Sequence, residues 1–376
     1  MPRLLPALIA IPLTLAQGCA GRANRSSTSL SESAAVAARL DARAPALLAE
    51  RQVASVGVAL IENGRVTLSR VYGEQAPGVP ATNATLFNLA SLTKPVTAEV
   101  ILRLASSGAF SLDEPMARYW TDPDIAGDPR RDRLTPRIAL AHQTGFPNWR
   151  DRSPGGRLSF AFDPGTAFGY SGEGYDYLGR FAEKRLGKSF EELAEEFVFR
   201  PIGMMSTSYS SRGWMRNRLA IPIDSGRIWA KPQVSDSAHW SGANNLITTV
   251  GDYAKFVVSV MNGDGLTESI FRERLLPASG PQPPFGCKME PATLCPRALN
   301  FALGWVRLDY EQGPMMMFVG LNDRPGGERT LVYFDPTRRR GVVVFTSGQG
   351  GQRLLLDVAE IVDPGSRVAV FLRSRG

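Results

Sequence analysis

The sequence predicts an α+β fold: one antiparallel β-sheet built from both ends of the chain, flanked by helices, with a mainly helical domain inserted between. Strand-period runs at 53–61 and 66–72 stand near the start, separated by Asn63-Gly64, a strong hairpin turn. Strand patterns return only at 301–308, 315–319, 330–334 and 341–346. The stretch between is helical and loop-rich, with no strand pair. Strands at both ends therefore share a layer, and the middle is an insertion.

In chain order, Arg3 precedes an apolar run from Leu4 to Leu15 that ends at Ala16-Gln17-Gly18-Cys19. Residues 1–19 read as an export signal, too short for a membrane span. The Gly18-Cys19 ending resembles a lipoprotein cleavage site, so the signal is either removed by ordinary cleavage or leaves the protein membrane-anchored through a lipid on Cys19. Residues 20–33, small, polar and serine-rich, read as a disordered tether. An alanine-rich helix interrupted by Pro45 covers 31–50. The sheet domain takes 34–95 and 296–376, and the helical domain 96–295. The closing segment 354–371, broken by Asp363-Pro364-Gly365, is at least partly helical.

The chain has 376 residues, 43% of them hydrophobic, enough for a sizeable core. Its net charge of +7 is spread among interleaved acids. The densest basic run, Arg338-Arg339-Arg340, falls between two strands and has no accompanying aromatic stripe. It reads as a solvated hairpin tip, and no nucleic-acid partner is expected. Cys287 and Cys295 flank a short proline-containing loop and read as a small disulfide in an oxidising compartment, with two isolated thiols the alternative. No metal or cofactor is expected, because His142 and His239 stand far from both cysteines and no ligand spacing recurs.

The chemistry centres on Phe87-Asn88-Leu89-Ala90-Ser91-Leu92-Thr93-Lys94. Val96, Val100 and Leu104 continue it at helical spacing. Ser is a favoured N-cap and Pro95 suits a first turn, so Ser91 reads as the opening of a buried helix with Lys94 one turn on. A buried ammonium is costly to desolvate, which makes a neutral amine available as a base. A hydroxyl beside such an amine is an activated nucleophile. Tyr170, in the glycine-punctuated Phe168-Gly169-Tyr170-Ser171-Gly172, offers a phenol that can take or return a proton. Alone, a serine three residues before a lysine is a weak signal, and a lone tyrosine is more often packing.

In this order and with these flanks, the residues resemble the serine β-lactamase and penicillin-binding-protein superfamily, most of all its class C β-lactamase-like hydrolases and esterases. Gly108 to Pro115, Leu140-Ala141-His142-Gln143-Thr144-Gly145, Tyr170-Ser171-Gly172, Pro201-Ile202-Gly203-Met204 and Gly304-Trp305 extend the match over about 35–350. The resemblance implies a β-lactamase/transpeptidase-like fold. It makes Ser91 the acylated nucleophile, Lys94 its base or proton relay and Tyr170 the partner acid and base. The Ser91 N–H would be one oxyanion donor, with a second near residues 323 and 324. His142 matches a structural turn and receives no chemistry. A Ser-His-Asp hydrolase is a distant alternative, since no nucleophile elbow surrounds a serine here.

Two positions depart from that pattern. Gly172 stands where an asparagine is usual. At the third motif, Leu321 and Asp323 replace the cation or imidazole and the glycine. The expected function is an exported serine hydrolase, periplasmic or lipid-anchored, acting through an acyl-enzyme on a small ester, amide or peptide, with esterase or peptidase ahead of β-lactamase. The other class of reading is a catalytically silent module that binds peptidoglycan or a partner protein. Leu321→His with Gly172→Asn should move preference toward β-lactams. Nothing in the sequence sets an oligomeric state.

Overall fold

The computed structural model describes residues 20–224, 228–280, 287, 289, 291–322 and 327–375, with side chains from residue 32 onward. Ten strands are present among them: β1 Ser55–Glu62, β2 Arg65–Ala76, β3 Val79–Pro80, β4 Phe87–Asn88, β5 Ile247–Thr248, β6 Ala298–Phe301, β7 Val306–Tyr310, β8 Gly313–Leu321, β9 Arg329–Asp335 and β10 Arg340–Thr346. Eight form one antiparallel sheet in the order β3-β2-β1-β10-β9-β8-β7-β6. The two ends of the chain meet in it directly, β1 running against β10 from Val56↔Thr346 to Ile61↔Gly341. Asn63 and Gly64, both at positive φ, turn β1 into β2.

Helices cover both faces. They are α1 Ala20–Arg51, α2 Thr93–Ser106, α3 Pro136–Leu140, α4 Gly172–Leu186, α5 Phe190–Ala194, α6 Arg200–Ile202, α7 Val250–Asn262, α8 Glu268–Glu273, α9 Gly351–Val362 and α10 Arg367–Arg373. Helices α1 and α9 pack together over the sheet, while α7 packs on β1, β2 and β10. All eight residues of β1 are buried, as a strand covered on both faces requires. This explains its nearly unbroken apolar sequence.

Four sequence expectations change. Residues 20–33, read as a tether, continue α1 as helix. No proline falls between residues 20 and 44, and elongating an anchored helix gains a hydrogen bond for each residue fixed. The 301–308 strand is instead the end of β6 and the start of β7, separated at Gly304, whose φ of 92° turns the chain where an added Cβ would strike Ala98. The middle region does contribute one strand to a pair: β5 closes on β4, which precedes it, at Phe87↔Thr248 and Asn88↔Ile247, too short to leave a periodic signal. Finally, α7 lies within the 96–295 stretch read as the helical domain but packs on the sheet.

Cys287 and Cys295 are joined in a disulfide, with Cα atoms 5.8 Å apart. No helix among the described residues is long and apolar enough to cross a membrane. The expected signal at 1–19, Cys19 included, lies outside the described residues.

Candidate active site

Ser91 is not a helix cap. It sits in a single 3₁₀ turn, Ala90–Leu92, and α2 begins after it with Leu92 as N-cap and no side-chain capping bond. The hydroxyl is thus left free of the backbone. Ala90, just before it, is held at φ 47°, a left-handed conformation that strains an L-residue. The surroundings over-determine that geometry. Asn88 Oδ1 accepts the Ala90 N–H at 2.8 Å, and Thr93 Oγ1 donates to the Ala90 carbonyl at 2.7 Å. Beneath the turn runs β8: a Cβ on Gly320 would come within 2.3 Å of the Leu89 carbonyl, so only glycine lets the strand pass.

Lys94, in the first turn of α2, is fully buried. Its Nζ donates to Ser91 Oγ at 3.1 Å and to the Ala243 carbonyl at 3.0 Å. No carboxylate among the described residues forms an ion pair with it. The Ala243 segment is itself laced down. The Leu246 N–H donates to Thr93 Oγ1 at 3.0 Å, and the Ala243 N–H to Asp176 Oδ1 at 3.2 Å. Burial pushes the Asp176 carboxyl up to about 6, against a lowering hydrogen bond from Ser241.

Tyr170 lies in the loop before α4, whose N-cap Ser171 accepts the Gly174 N–H at 2.9 Å. The Lys94 ammonium stands 4.8 Å from the centroid of the Tyr170 ring. Its phenol makes no hydrogen bond to Ser91 or Lys94. His142 stacks on the same ring at 4.5 Å and 29°. Nδ1 of that histidine accepts the Ser171 N–H at 3.1 Å. Full burial and the nearby Lys94 charge hold the imidazole well below its usual range, so it stays neutral. His142 is a platform, as its turn position implied.

The structure therefore brings Ser91, Lys94 and Tyr170 together. Ser91 opens on a cavity of about 490 Å³, whose walls also include Trp149, Glu173, Asp176, Asn244 and Leu321. At Gly172, where the expected asparagine is missing, a Cβ would lie 2.7 Å from the Trp149 ring and 2.8 Å from the Asn148 carbonyl. Trp149 fills that space and sits 5.6 Å from Lys94 Nζ. Restoring Asn at 172 therefore requires Trp149 to move, which revises the double substitution considered from sequence. At the end of β8, Leu321 is 45% exposed toward the cleft. Asn322 beside it spends its amide on Gln233 at 2.8 Å and on buried Glu328 at 2.9 Å. Asp323 and Arg324, near which the second oxyanion donor was expected, lie outside the described residues.

Asn88, Ala243, Asp176 and Trp149 had no sequence signal of their own. Ala243, Asp176 and Trp149 act through contacts distant in sequence, and Asn88 through the Ala90 N–H two residues on. Among the described residues no group of His, Cys, Asp and Glu is arranged to hold a metal ion.

The family described as beta-lactamase matches residues 40–363. The chain belongs to the β-lactamase family. This β-lactamase-family chain is 28% identical to esterase EstB of Burkholderia gladioli over 226 residues, 52% of the chain and 57% of the esterase. It thus spans little more than half the length of that relative. It is 24% identical to the D-alanyl-D-alanine-carboxypeptidase/endopeptidase AmpH of Escherichia coli K12 over 283 residues, 69% of the chain and 71% of AmpH. Among solved structures, the octameric penicillin-binding protein homologue from Pyrococcus abyssi superposes with a TM-score of 0.72 at 19% identity, covering 90% of this chain and 80% of its own. A class C β-lactamase gives 0.69 at 18%, covering 89% and 97%. These likenesses bear out the superfamily and the α+β sheet architecture read from the sequence.

Proposed function

We propose that the chain is an exported hydrolase that forms an acyl-enzyme on Ser91 from a small ester, amide or peptide, with esters and peptides preferred to β-lactams. One observation carries this reading: a fully buried Lys94 with no paired carboxylate, directed at a serine hydroxyl 3.1 Å away. Lys94 takes the Ser91 proton while Oγ attacks the carbonyl carbon. The Ser91 N–H makes no hydrogen bond among the described residues and is available to the oxyanion. Tyr170 gives its phenol proton to the leaving atom and recovers one from the Lys94 ammonium, and water then releases the acyl group by the reverse path. The Cys287–Cys295 disulfide fits an oxidising compartment and supports export.

The preference for esters follows from Leu321 and Asn322. A β-lactam carboxylate set there meets an apolar side chain and an amide already spent on Gln233 and Glu328. Leaving that carboxylate unpaired costs roughly 1–3 kcal/mol, about ten- to a hundredfold in rate. The test is a panel at equal concentration: p-nitrophenyl acetate and butyrate should turn over faster than nitrocefin or benzylpenicillin. Efficient nitrocefin hydrolysis with little ester activity would overturn the preference.

A further inference from the structure

We propose that His142 is a positioning residue for the proton transfer at Tyr170, gripping the peptide on both sides of that tyrosine and backing its ring. This rests on the hydrolase reading and deepens it. The phenol of Tyr170 makes no hydrogen bond among the described residues, and Lys94 meets the ring rather than the oxygen. Nothing at the phenol itself therefore sets where it points. The flanking Gly169 and Gly172 bring no side chains to anchor the loop. The placement of the hydroxyl depends on what holds the ring and the neighbouring amides.

His142 contributes to both. Its carbonyl accepts the Gly169 N–H at 2.8 Å and its Nδ1 accepts the Ser171 N–H at 3.1 Å, so the peptide is held immediately before and after Tyr170. Its imidazole stacks on the phenol ring. After Tyr170 the chain has further ties, from Ser171 Oγ to the Pro147 carbonyl at 2.8 Å and from the Gly172 N–H to Asn148 Oδ1 at 3.0 Å. Before it, the Gly169 bond to His142 is the one hydrogen bond that residues 167–170 make among the described residues. His142 is itself fixed. It stands at φ 56°, in the left-handed region that non-glycine residues seldom adopt, and is buried among the rings of Tyr170, Tyr175, Phe168 and Phe301.

The same contacts set its tautomer. Nδ1 accepts a hydrogen bond and so carries no proton, which leaves the proton on Nε2. A second proton, on Nδ1, would displace the Ser171 N–H and loosen the grip. The ionisable groups around the ring are Lys94, Tyr170 and Tyr175, and no carboxylate among the described residues pairs with it to stabilise an imidazolium. Neutrality also suits the chemistry. A cation stacked on Tyr170 would repel Lys94 just as it takes the Ser91 proton.

The experiment is a double-mutant cycle on the turnover of p-nitrophenyl acetate by folded protein. His142→Asn keeps an acceptor at the place of Nδ1 and a residue type that tolerates positive φ, and it removes the ring. It should lower kcat about ten- to a hundredfold with little change in KM, the scale of a misplaced catalytic group. In a Tyr170→Phe background the same substitution should cost almost nothing, because the hydroxyl it positions is gone. Equal losses in the two backgrounds, or no loss in either, would make His142 packing alone and overturn the proposal. A second measurement needs no turnover. The chain holds two histidines, so nitrogen NMR of isotope-labelled histidine is assigned by the Asn variant. His142 should show the Nε2–H tautomer and no protonation between about pH 5 and pH 8. A proton on Nδ1 anywhere in that range would overturn the proposal. Failure of the hydrolase reading is distinguishable, as absence of ester turnover in the wild type with the His142 signals as expected.

Discussion

The two sides of the cleft are held very differently. On one, Ser91 and Lys94 ride a turn pinned by Asn88, Thr93, Leu246 and Gly320, so the strained Ala90 has little room to relax. On the other, the groups that would read a substrate carboxylate are replaced: Leu321 faces the cleft, Asn322 is spent on its neighbours, and Trp149 fills the space beside Gly172. The difference separates bond-making from recognition. A buried nucleophile turn tolerates little change, because each partner satisfies a polar group with no access to water. A recognition wall can be rebuilt residue by residue to favour another substrate.

The largest effect should come from the pinned side. Lys94→Ala is expected to lower ester turnover about a hundredfold or more, the scale of a lost general base. Tyr170→Phe keeps the ring stacked on His142 and removes only the hydroxyl. It should cut turnover while leaving the thermal midpoint close to wild type. Equal damage to activity and stability would make the tyrosine a packing residue.

On the recognition side, Gly172→Asn should destabilise by about 1–3 kcal/mol, the scale of overpacking, because its Cβ meets Trp149 and the Asn148 carbonyl. Adding Trp149→Ala should recover part of that loss. Urea unfolding of the two single variants and the double variant gives the coupling, and strict additivity would mean that the two residues do not compete for the same space.

The smallest expected effect is on stability against pH. The folded Asp176 carboxyl is raised from 3.8 to about 6 by burial, with Glu173 adding to the rise and Lys94 opposing it. A raised pKa means its contribution is fully present below the unfolded value and is lost as pH rises through about 6. The midpoint of Asp176→Asn relative to wild type should therefore increase between pH 4 and pH 7.5. A constant difference would show that Asp176 titrates normally.

How much was legible in the sequence follows the same division. Ser91 and Lys94 are three residues apart, and helical periodicity places them on one side of a buried element. The end strands declare themselves by alternation and by Asn63-Gly64. What stayed hidden depends on long-range contacts: Asn88 with Asn245, Ala243 with Lys94, Gly172 with Trp149, and the two-residue strands β4 and β5. Serine's propensity is local and predicts a cap at Ser91. The structure keeps its hydroxyl for Lys94 instead.

The most direct test of the central claim is mass spectrometry of the protein after exposure to a fluorophosphonate probe. A single adduct on the peptide carrying Ser91, absent in Ser91→Ala and strongly reduced in Lys94→Ala, is the predicted result. No adduct on folded protein, or an adduct on another serine that persists in Ser91→Ala, would contradict it.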